Sequence, residues 1–451
     1  MNLPYAVEYV MKKIMNAGGQ AYLVGGALRD RLLGITVTDY DIATSLTPDQ
    51  IENLFSEEKT WSGGKRFGTI TVAVGGQNIE VTTFRKESLY SDSRHPDQIT
   101  FVSDIFADLS RRDFTVNAMA YNPFIADGLV DPFGGRRDLE QHIIRTVGSP
   151  YERFAEDPLR IMRGIRFCAQ LDFSLDEETT KAMKDCSNQL LKVSSERIRS
   201  ELDKLLLSPH HHKGLMLMQE TEIIGILFAV RNTITGVLTK PGRLTANGIQ
   251  AMKAIEPNLS YRLAALIVIL YPKDFTAQEN SDAVKEIMSN LRYDNKTMRH
   301  VISLLQGYSG FSAMEVSPFT MRRLLGNMGA EDARQIIKWY NAMQNALNND
   351  AADNPASYND SANNDDAASN KARTASALLD EILQNNDPVL PSQLAVNGND
   401  IHKLGIGTND QRIIGEALKL AYQWVLEDPA RNNAAYLLDR IRNHYSDNKG
   451  K

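Results

Sequence analysis

The chain has 451 residues, of which 42% are hydrophobic and 24% charged, and a formal net charge of −6 at pH 7. That length predicts more than one domain with ample core, and the mild acidity excludes nucleic-acid binding by global attraction, leaving local basic patches. No run of eighteen apolar residues predicts a membrane span, nothing at the amino end reads as a signal peptide, and the two cysteines, Cys168 and Cys186, form no disulfide or metal pattern, so a reducing cytoplasm fits.

In chain order, Val7 to Met15 reads as a short amphipathic helix, and Ala21 to Val24 as a buried strand. Gly25 and Gly26 follow, then a helix from Ala27 to Leu33 that Gly34 stops. Thr38 to Ile42 predicts a second strand carrying Asp39 and Asp41. Glycines between a strand and a helix start let a phosphate reach backbone N–H groups at the positive helix end. Arg29, one turn in, is placed to pair with that phosphate. Alternate residues of a strand share a face, so Asp39 and Asp41 project together and repel unless a cation lies between them. Hard oxygen ligands of this kind suit Mg²⁺, which takes its remaining ligands from waters and substrate phosphates. Taken singly, a Gly-Gly is a tight turn and an Asp-x-Asp a solvated strand end; their combination within twenty residues carries the reading. Gly64-Lys65-Arg66 is no lysine P-loop, lacking the upstream glycine and the Ser/Thr.

Thr47 caps a helix from Pro48 to Phe55. Phe67–Val72 and Ile79–Phe84 are strand-like, with Gly75-Gly76 as the hairpin between them. Glu80 is open to two readings, a third carboxylate of the site or an outward-facing edge residue. Arg85 to Asp97 is polar and irregular, an exposed loop by composition. Asp108–Thr115 leads into an apolar segment from Val116 to Ala120, and Asp131–Gly135 is a turn closing the first domain. Between Arg153 and Gln170, Pro158 suits the first turn of an amphipathic helix with Glu156 and Asp157 at its positive end; Asp157, Arg160 and Arg163 recur every three residues and so share one face, with Arg166 a turn further. Between Arg111 and Arg166 there are nine arginines and no lysine, which favours planar, bidentate recognition of phosphates and base edges. Leu171–Leu207 continues helical, His210–His212 falls on a loop, and helices are expected at Tyr261–Leu270, Ala283–Leu291, Lys296–Leu305, Met321–Met328 and Ala333–Met343. Leu347–Thr374, rich in Asn, Asp, Ala and Ser, predicts disorder. The last expected helices are Asp380–Leu383, Asn399–Leu404 and Arg412–Leu426.

The series GGALRD…TDYDIAT, RRDFTVNAMA and EDPLRIMRGIR resembles the class II tRNA nucleotidyltransferases and bacterial poly(A) polymerases, within the superfamily that includes DNA polymerase β. The resemblance implies an α+β fold: a small mixed β-sheet head (1–150), then an all-helical neck (151–230), body (231–346) and tail (375–451), with the insert 347–374 between the last two. It implies template-independent addition of CCA to the tRNA 3′ end from CTP and ATP. Asp39 and Asp41 would hold two Mg²⁺ ions as metal ligands and catalytic residues. Gly26, Arg29 and Arg112 would position the nucleotide, and Asp157 with Arg160 would select its base, oriented by Arg163 and Arg166. Cytosine and adenine both present an amine donor beside a ring-nitrogen acceptor, which a carboxylate and an arginine match; uracil and guanine oppose both. The family's flexible loop is met by Arg85, Tyr90, Asp92, Arg94 and Pro96, with Ser88 where a glycine is usual. Val396 to Gly407 resembles the tail that grips the tRNA elbow. A-only addition, poly(A) synthesis and an inactive tRNA-binding protein are the alternatives; no membrane partner is implied.

Overall fold

The computed structural model describes residues 2–88, 98–231, 238–239, 241–271, 278–352, 361–407 and 411–447. They form two compact units: residues 1–241 with 290–292, and residues 242–289 with 293–451.

The first unit opens with helix α1 (Tyr5–Asn16) and a seven-stranded mixed sheet. Its strands are β1 (Ala21–Val24), β2 (Tyr40–Thr44), β3 (Lys59–Trp61), β4 (Thr69–Val74), β5 (Gln77–Thr83), β8 (Ala120–Tyr121) and β9 (Leu129–Val130), in the order β3-β4-β5-β2-β1-β8-β9. A separate hairpin pairs β6 (Arg85–Ser88) with β7 (Gln98–Phe101). The expected irregular loop is therefore strand over its first four residues; Tyr90, Asp92, Arg94 and Pro96 lie outside the described residues.

Alternation within the strands gives the sheet two apolar faces. Ile70, Val72 and Val74 alternate inward along β4, and α1 packs with α3 (Pro48–Leu54), whose capping box joins Thr47 and Gln50 as its sequence predicts. On the other face Tyr22, Val24, Ala43 and Phe84 pack with Ile105 and Leu109 of α4 (Ile105–Ser110). The Gly75-Gly76 hairpin forms with both residues left-handed, φ 57° and 80°. Helix α2 (Gly25–Leu32) follows β1 directly, and α5 (Gly135–Glu140) follows the Asp131 turn, whose carboxylate accepts from the Gly135 and Arg136 amides.

The helix expected to open at Pro158 is α7 (Leu159–Leu171), which starts one residue after it; a separate short helix, α6 (Pro150–Glu156), precedes it. Pro158 disfavours a helical conformation at the residue before it, and Asp157 is extended at φ −143° and ψ 100°. The Asp157 Oδ1 then accepts from the Leu159 amide at 3.1 Å, so this carboxylate caps α7. Helix α7 approaches the sheet unit closely at Gly164, where a Cβ would stand 2.8 Å from Phe114 and 2.4 Å from Met183. The unit continues through α8 (Glu177–Cys186), α9 (Ser195–Leu206), α10 (His211–Glu220) and α11 (Ile223–Leu227). His211 and His212 thus begin a helix and do not lie on a loop.

The second unit is helical: α12 (Ala246–Met252), α13 (Leu259–Leu270), α14 (Gln278–Asn290), α15 (Asn295–Ala313), α16 (Pro318–Met328), α17 (Ala330–Ala352), α18 (Ser361–Gln384), α19 (Gly398–Lys403), α20 (Arg412–Glu427) and α21 (Ala434–Asp447). Two expectations change here. Of the segment expected to be disordered, residues 347–352 lie in α17 and 361–374 in α18, while 353–360 fall outside the described residues. Its alanines explain this: Ala368, Ala372 and Ala375 are buried ahead of Leu379 and Ile382, a narrow stripe that lets α18 lie close on α17. Lys371 adds a tie, donating to the Ser312 carbonyl at 2.9 Å and lying over Phe311 and Tyr340. The sequence reading also missed α21, whose Leu437 and Ile441 close a core with Ala417, Ala421 and Val425. Gly326 sits where a Cβ would be 2.2 Å from the Val389 carbonyl oxygen. Gly326→Ala is expected to lower stability by about 1–3 kcal/mol, measured as a fall in the thermal melting temperature of the full chain.

Candidate active site

The register of three central strands builds the site. Val24, the last residue of β1, pairs with Asp41 of β2, and Asp41 pairs with Glu80 of the parallel strand β5. Asp41 and Glu80 are therefore cross-strand neighbours in the middle of the sheet; Glu80 is not on an edge strand, though its side chain is exposed. The chain leaves β1 through Gly25 at φ +68° and enters α2 at once. A Cβ on Gly25 would meet the Arg112 Nη1 at 3.3 Å and the Asp41 carboxylate at 3.5 Å. Glycine is required there by the backbone and by the side chains that close over it.

These residues line a cavity of about 760 Å³. Gly26, Arg29, Asp41, Glu80, Arg112, Asp157, Arg160 and Arg163 all face it. Two expected site residues do not. Asp39 is exposed and stands one residue before β2, which starts at Tyr40; its charge still bears on Asp41, but it does not line the cavity. Arg166 is buried away from the cavity, donating to Glu201 at 2.5 Å and to Gln170 at 2.7 Å.

Electrostatics separate the carboxylates. Burial, then the neighbouring charge of Glu80, push the Asp41 carboxyl up to about 6; Asp39 adds to this and Arg112 opposes it. Asp113 goes the other way. Burial disfavours its charge, but Arg163, donating through Nε at 2.9 Å and Nη2 at 2.6 Å, holds the carboxyl well below its usual range. Asp108 is likewise held down against its burial, by Arg112 and Arg111. The Arg112 Nη2 donates to Asp108 at 3.0 Å, and its buried Nε has no hydrogen-bond partner among the described residues.

Every cavity arginine is anchored. Arg29 donates to Asp30 at 2.8 Å and to the Asn117 amide oxygen at 2.9 Å. Asn117 in turn donates to Asp113 at 3.2 Å. Arg160 donates to Glu156, to the Arg153 carbonyl and to the Arg111 carbonyl. Three of its five donors are thereby used, which fixes the plane of the guanidinium. Asp157 lies at the break before α7 and not on the helix face with Arg160. Both reach the cavity nonetheless, and Arg197 of α9 holds the Asp157 Oδ2 at 2.8 Å. The Arg197 Nη1 is buried without a partner among the described residues. Arg197, Asn117, Asp113 and Phe167 were not singled out from sequence. The i, i+4 spacing of Asp113 and Asn117 was the one available signal; Arg197 pairs across forty residues and gave none.

The poly A polymerase head domain family matches residues 21–145, and the family described as the probable RNA and SrmB-binding site of polymerase A matches residues 172–230. The Lactobacillus helveticus CCA-adding enzyme is 46% identical over 214 residues, 48% of this chain and 53% of that protein. The Streptococcus gordonii CCA-adding enzyme is 48% identical over 206 residues, 46% of this chain and 51% of that protein. The chain thus matches about half the length of these relatives. Among solved structures, the Bacillus stearothermophilus CCA-adding enzyme in complex with CTP aligns over 99% of this chain and 100% of its own, with TM-score 0.72 and 26% identity. The Thermotoga maritima CCA-adding enzyme complexed with tRNA aligns over 97% and 94%, with TM-score 0.65 and 22% identity, and shares the fold.

Asp41 carries a stability consequence. Its carboxyl is raised in the folded state from 3.8 to about 6. The folded chain therefore holds this proton to higher pH than the unfolded chain, and the contribution is lost as pH rises through about 6. In metal-free protein at pH 7.5, Asp41→Asn is expected to raise stability by on the order of 1 kcal/mol after allowance for solvent, about 2–4 °C in melting temperature. At pH 4 the gain disappears. Calorimetric scans of both proteins at the two pH values measure it.

Proposed function

We propose that this chain, which belongs through its head and neck to the class II tRNA nucleotidyltransferase family, adds CCA to the 3′ end of tRNA using CTP and ATP. The observation that carries the reading is one cavity lined at once by a glycine-led helix start, the Asp41–Glu80 pair and the Asp157–Arg160 pair. Each supports a different part of nucleotidyl transfer.

The triphosphate is read as lying against the Gly25 and Gly26 amides, with Arg29 and Arg112 beside it. The carboxylates suit a divalent cation: the Asp41 charge is disfavoured by burial and by Glu80, a cost that a bound cation would relieve. Among the described residues no three such side chains form a ready-made cage. Magnesium asks for little of one, since it keeps waters and takes its remaining ligands from substrate phosphates. Asp41 and Glu80, with Asp39 approaching from outside the strand, are the residues that would hold it. When bound, Mg²⁺ supplies charge neutralisation at the transferring phosphate and acidifies the attacking hydroxyl. The 3′-hydroxyl oxygen of the tRNA bonds to the α-phosphorus of CTP or ATP, and the bond to the β-phosphate oxygen breaks, releasing pyrophosphate.

Base choice rests on Asp157 and Arg160. The Asp157 carboxylate accepts from the exocyclic amine of C or A, and the remaining Arg160 donors reach the ring nitrogen. U and G would set carbonyl against carboxylate and ring N–H against guanidinium, leaving buried groups unpaired. Arg197 and Glu156 hold the two readers in place, so no nucleic-acid template is required. We place the tRNA elbow on the tail, residues 375–451, and the enzyme in the cytoplasm.

The deciding experiment offers the protein three tRNAs, ending before the first C, after C and after CC, with CTP and ATP separately. CCA addition gives CTP incorporation on the first two and ATP incorporation on the third. Incorporation of ATP alone on the third identifies an A-adding enzyme, and no incorporation on any overturns the assignment. Asp41→Asn should cut incorporation more than about a hundredfold while gel-shift binding of tRNA persists. Arg160→Ala should raise UTP and GTP incorporation relative to CTP and ATP by about tenfold or more, measured in competition assays.

A further inference from the structure

Phe167, buried in α7, faces the cavity, and three guanidinium groups lie over its ring. Arg166 is 4.2 Å from the centroid, Arg29 5.0 Å and Arg163 5.5 Å. Two belong to α7 itself and the third to α2, at the glycine-led helix start. Each has its own polar partner: Glu201 for Arg166, Asp113 for Arg163, and Asp30 with Asn117 for Arg29. Arg29 and Arg163 are also bridged on their polar side, since Asn117 accepts from Arg29 and donates to Asp113, the partner of Arg163; Arg166 stands outside that bridge. Three like charges this close repel. The negative face of an aromatic ring attracts cations within about 6 Å, most strongly where water is excluded. Phe114 fixes the ring from the side, edge-on at 5.8 Å and 84°.

We infer that Phe167 is a positioning residue for nucleotide binding, its π face holding Arg29 on the polyphosphate side and Arg163 on the base side together from the cavity's apolar wall, alongside the Asn117–Asp113 bridge. The inference rests on the cavity being a nucleotide site. Phe167 acts through the arginines, so what matters is its face potential and not its bulk. A leucine would keep most of the volume and lose the face.

The test replaces Phe167 in the full chain with mono-, di- and trifluorinated phenylalanines, which keep the shape and progressively deplete the ring face. Equilibrium dissociation constants for CTP and ATP with Mg²⁺ and the melting temperature are measured for each. The expected result is a stepwise rise in both constants, reaching about fivefold or more at three fluorines, with melting temperatures unchanged, and a rise at least as large for Phe167→Leu. Constants that stay flat across the series while the unsubstituted protein binds CTP overturn the inference alone. Melting temperatures that fall in step with affinity assign the effect to packing and also overturn it. An unsubstituted protein that binds neither nucleotide removes the reading of the cavity, and the inference with it.

Discussion

A carboxylate placed beside another carboxylate in the interior of a sheet is the constraint from which the first unit follows. Asp41 and Glu80 are held as neighbours by the parallel pairing of β2 with β5. No local rearrangement can separate them without slipping the register, which would turn every inward residue of β2 outward. The fold therefore carries a standing excess of negative charge at one point. Arg112 offsets part of it through the space that Gly25 leaves open. Local conflicts of this kind cluster where proteins do chemistry, since a folded chain keeps them only where the surrounding structure over-determines them.

The arginines obey a complementary rule. Nine of them between Arg111 and Arg166 read as a surface for phosphates and bases. Within the unit most of that charge is already matched: Arg112 with Asp108, Arg160 with Glu156, Arg163 with Asp113, Arg166 with Glu201. Pairing explains how so many guanidiniums share a few helices in an acidic chain. It also changes their meaning. An arginine pinned by a carboxylate is aimed before any ligand arrives, so less side-chain freedom is lost on binding. Arg166 marks the limit of the rule, buried and paired with Glu201 and Gln170 away from the cavity.

Local order was legible where a short stretch decides its own conformation. The Thr47 cap, the Gly75-Gly76 hairpin and the strand–Gly-Gly–helix turn each depend on residues within a few positions, and each forms as its residues dictate. The errors arose where a distant or weaker signal won. Asp39 and Asp41 were placed on one strand by spacing, but β2 begins between them. The three-residue spacing sets Asp157 on one face with Arg160, but Asp157 is extended just ahead of the helix that Pro158 opens. The later part of the Asn- and Asp-rich segment looks too polar to fold, yet alanines three and four residues apart supply a stripe narrow enough for close helix contact, which a count of large hydrophobics overlooks. Pairings such as Arg197 with Asp157 span forty residues, and nothing in local pattern predicts them.

The two halves of the chain relate differently to the proteins they resemble. Sequence similarity to the curated relatives covers 48% of the chain, whereas similarity of backbone to the Bacillus stearothermophilus structure covers 99%. The physical demands on the two halves differ in the same sense. In the first, a backbone turn open only to glycine, a carboxylate pair set by register and a set of ion-paired arginines each need one particular residue type. In the second, helices such as α17 and α18 or α20 and α21 need only apolar volume at the right period, and cores accept extensive exchange of hydrophobic residues when volume and pattern are kept. Alanine can take the place of leucine if the partner helix moves closer. A helical scaffold built on those terms tolerates wide exchange of its residues, while a site built on charge and hydrogen bonds tolerates little.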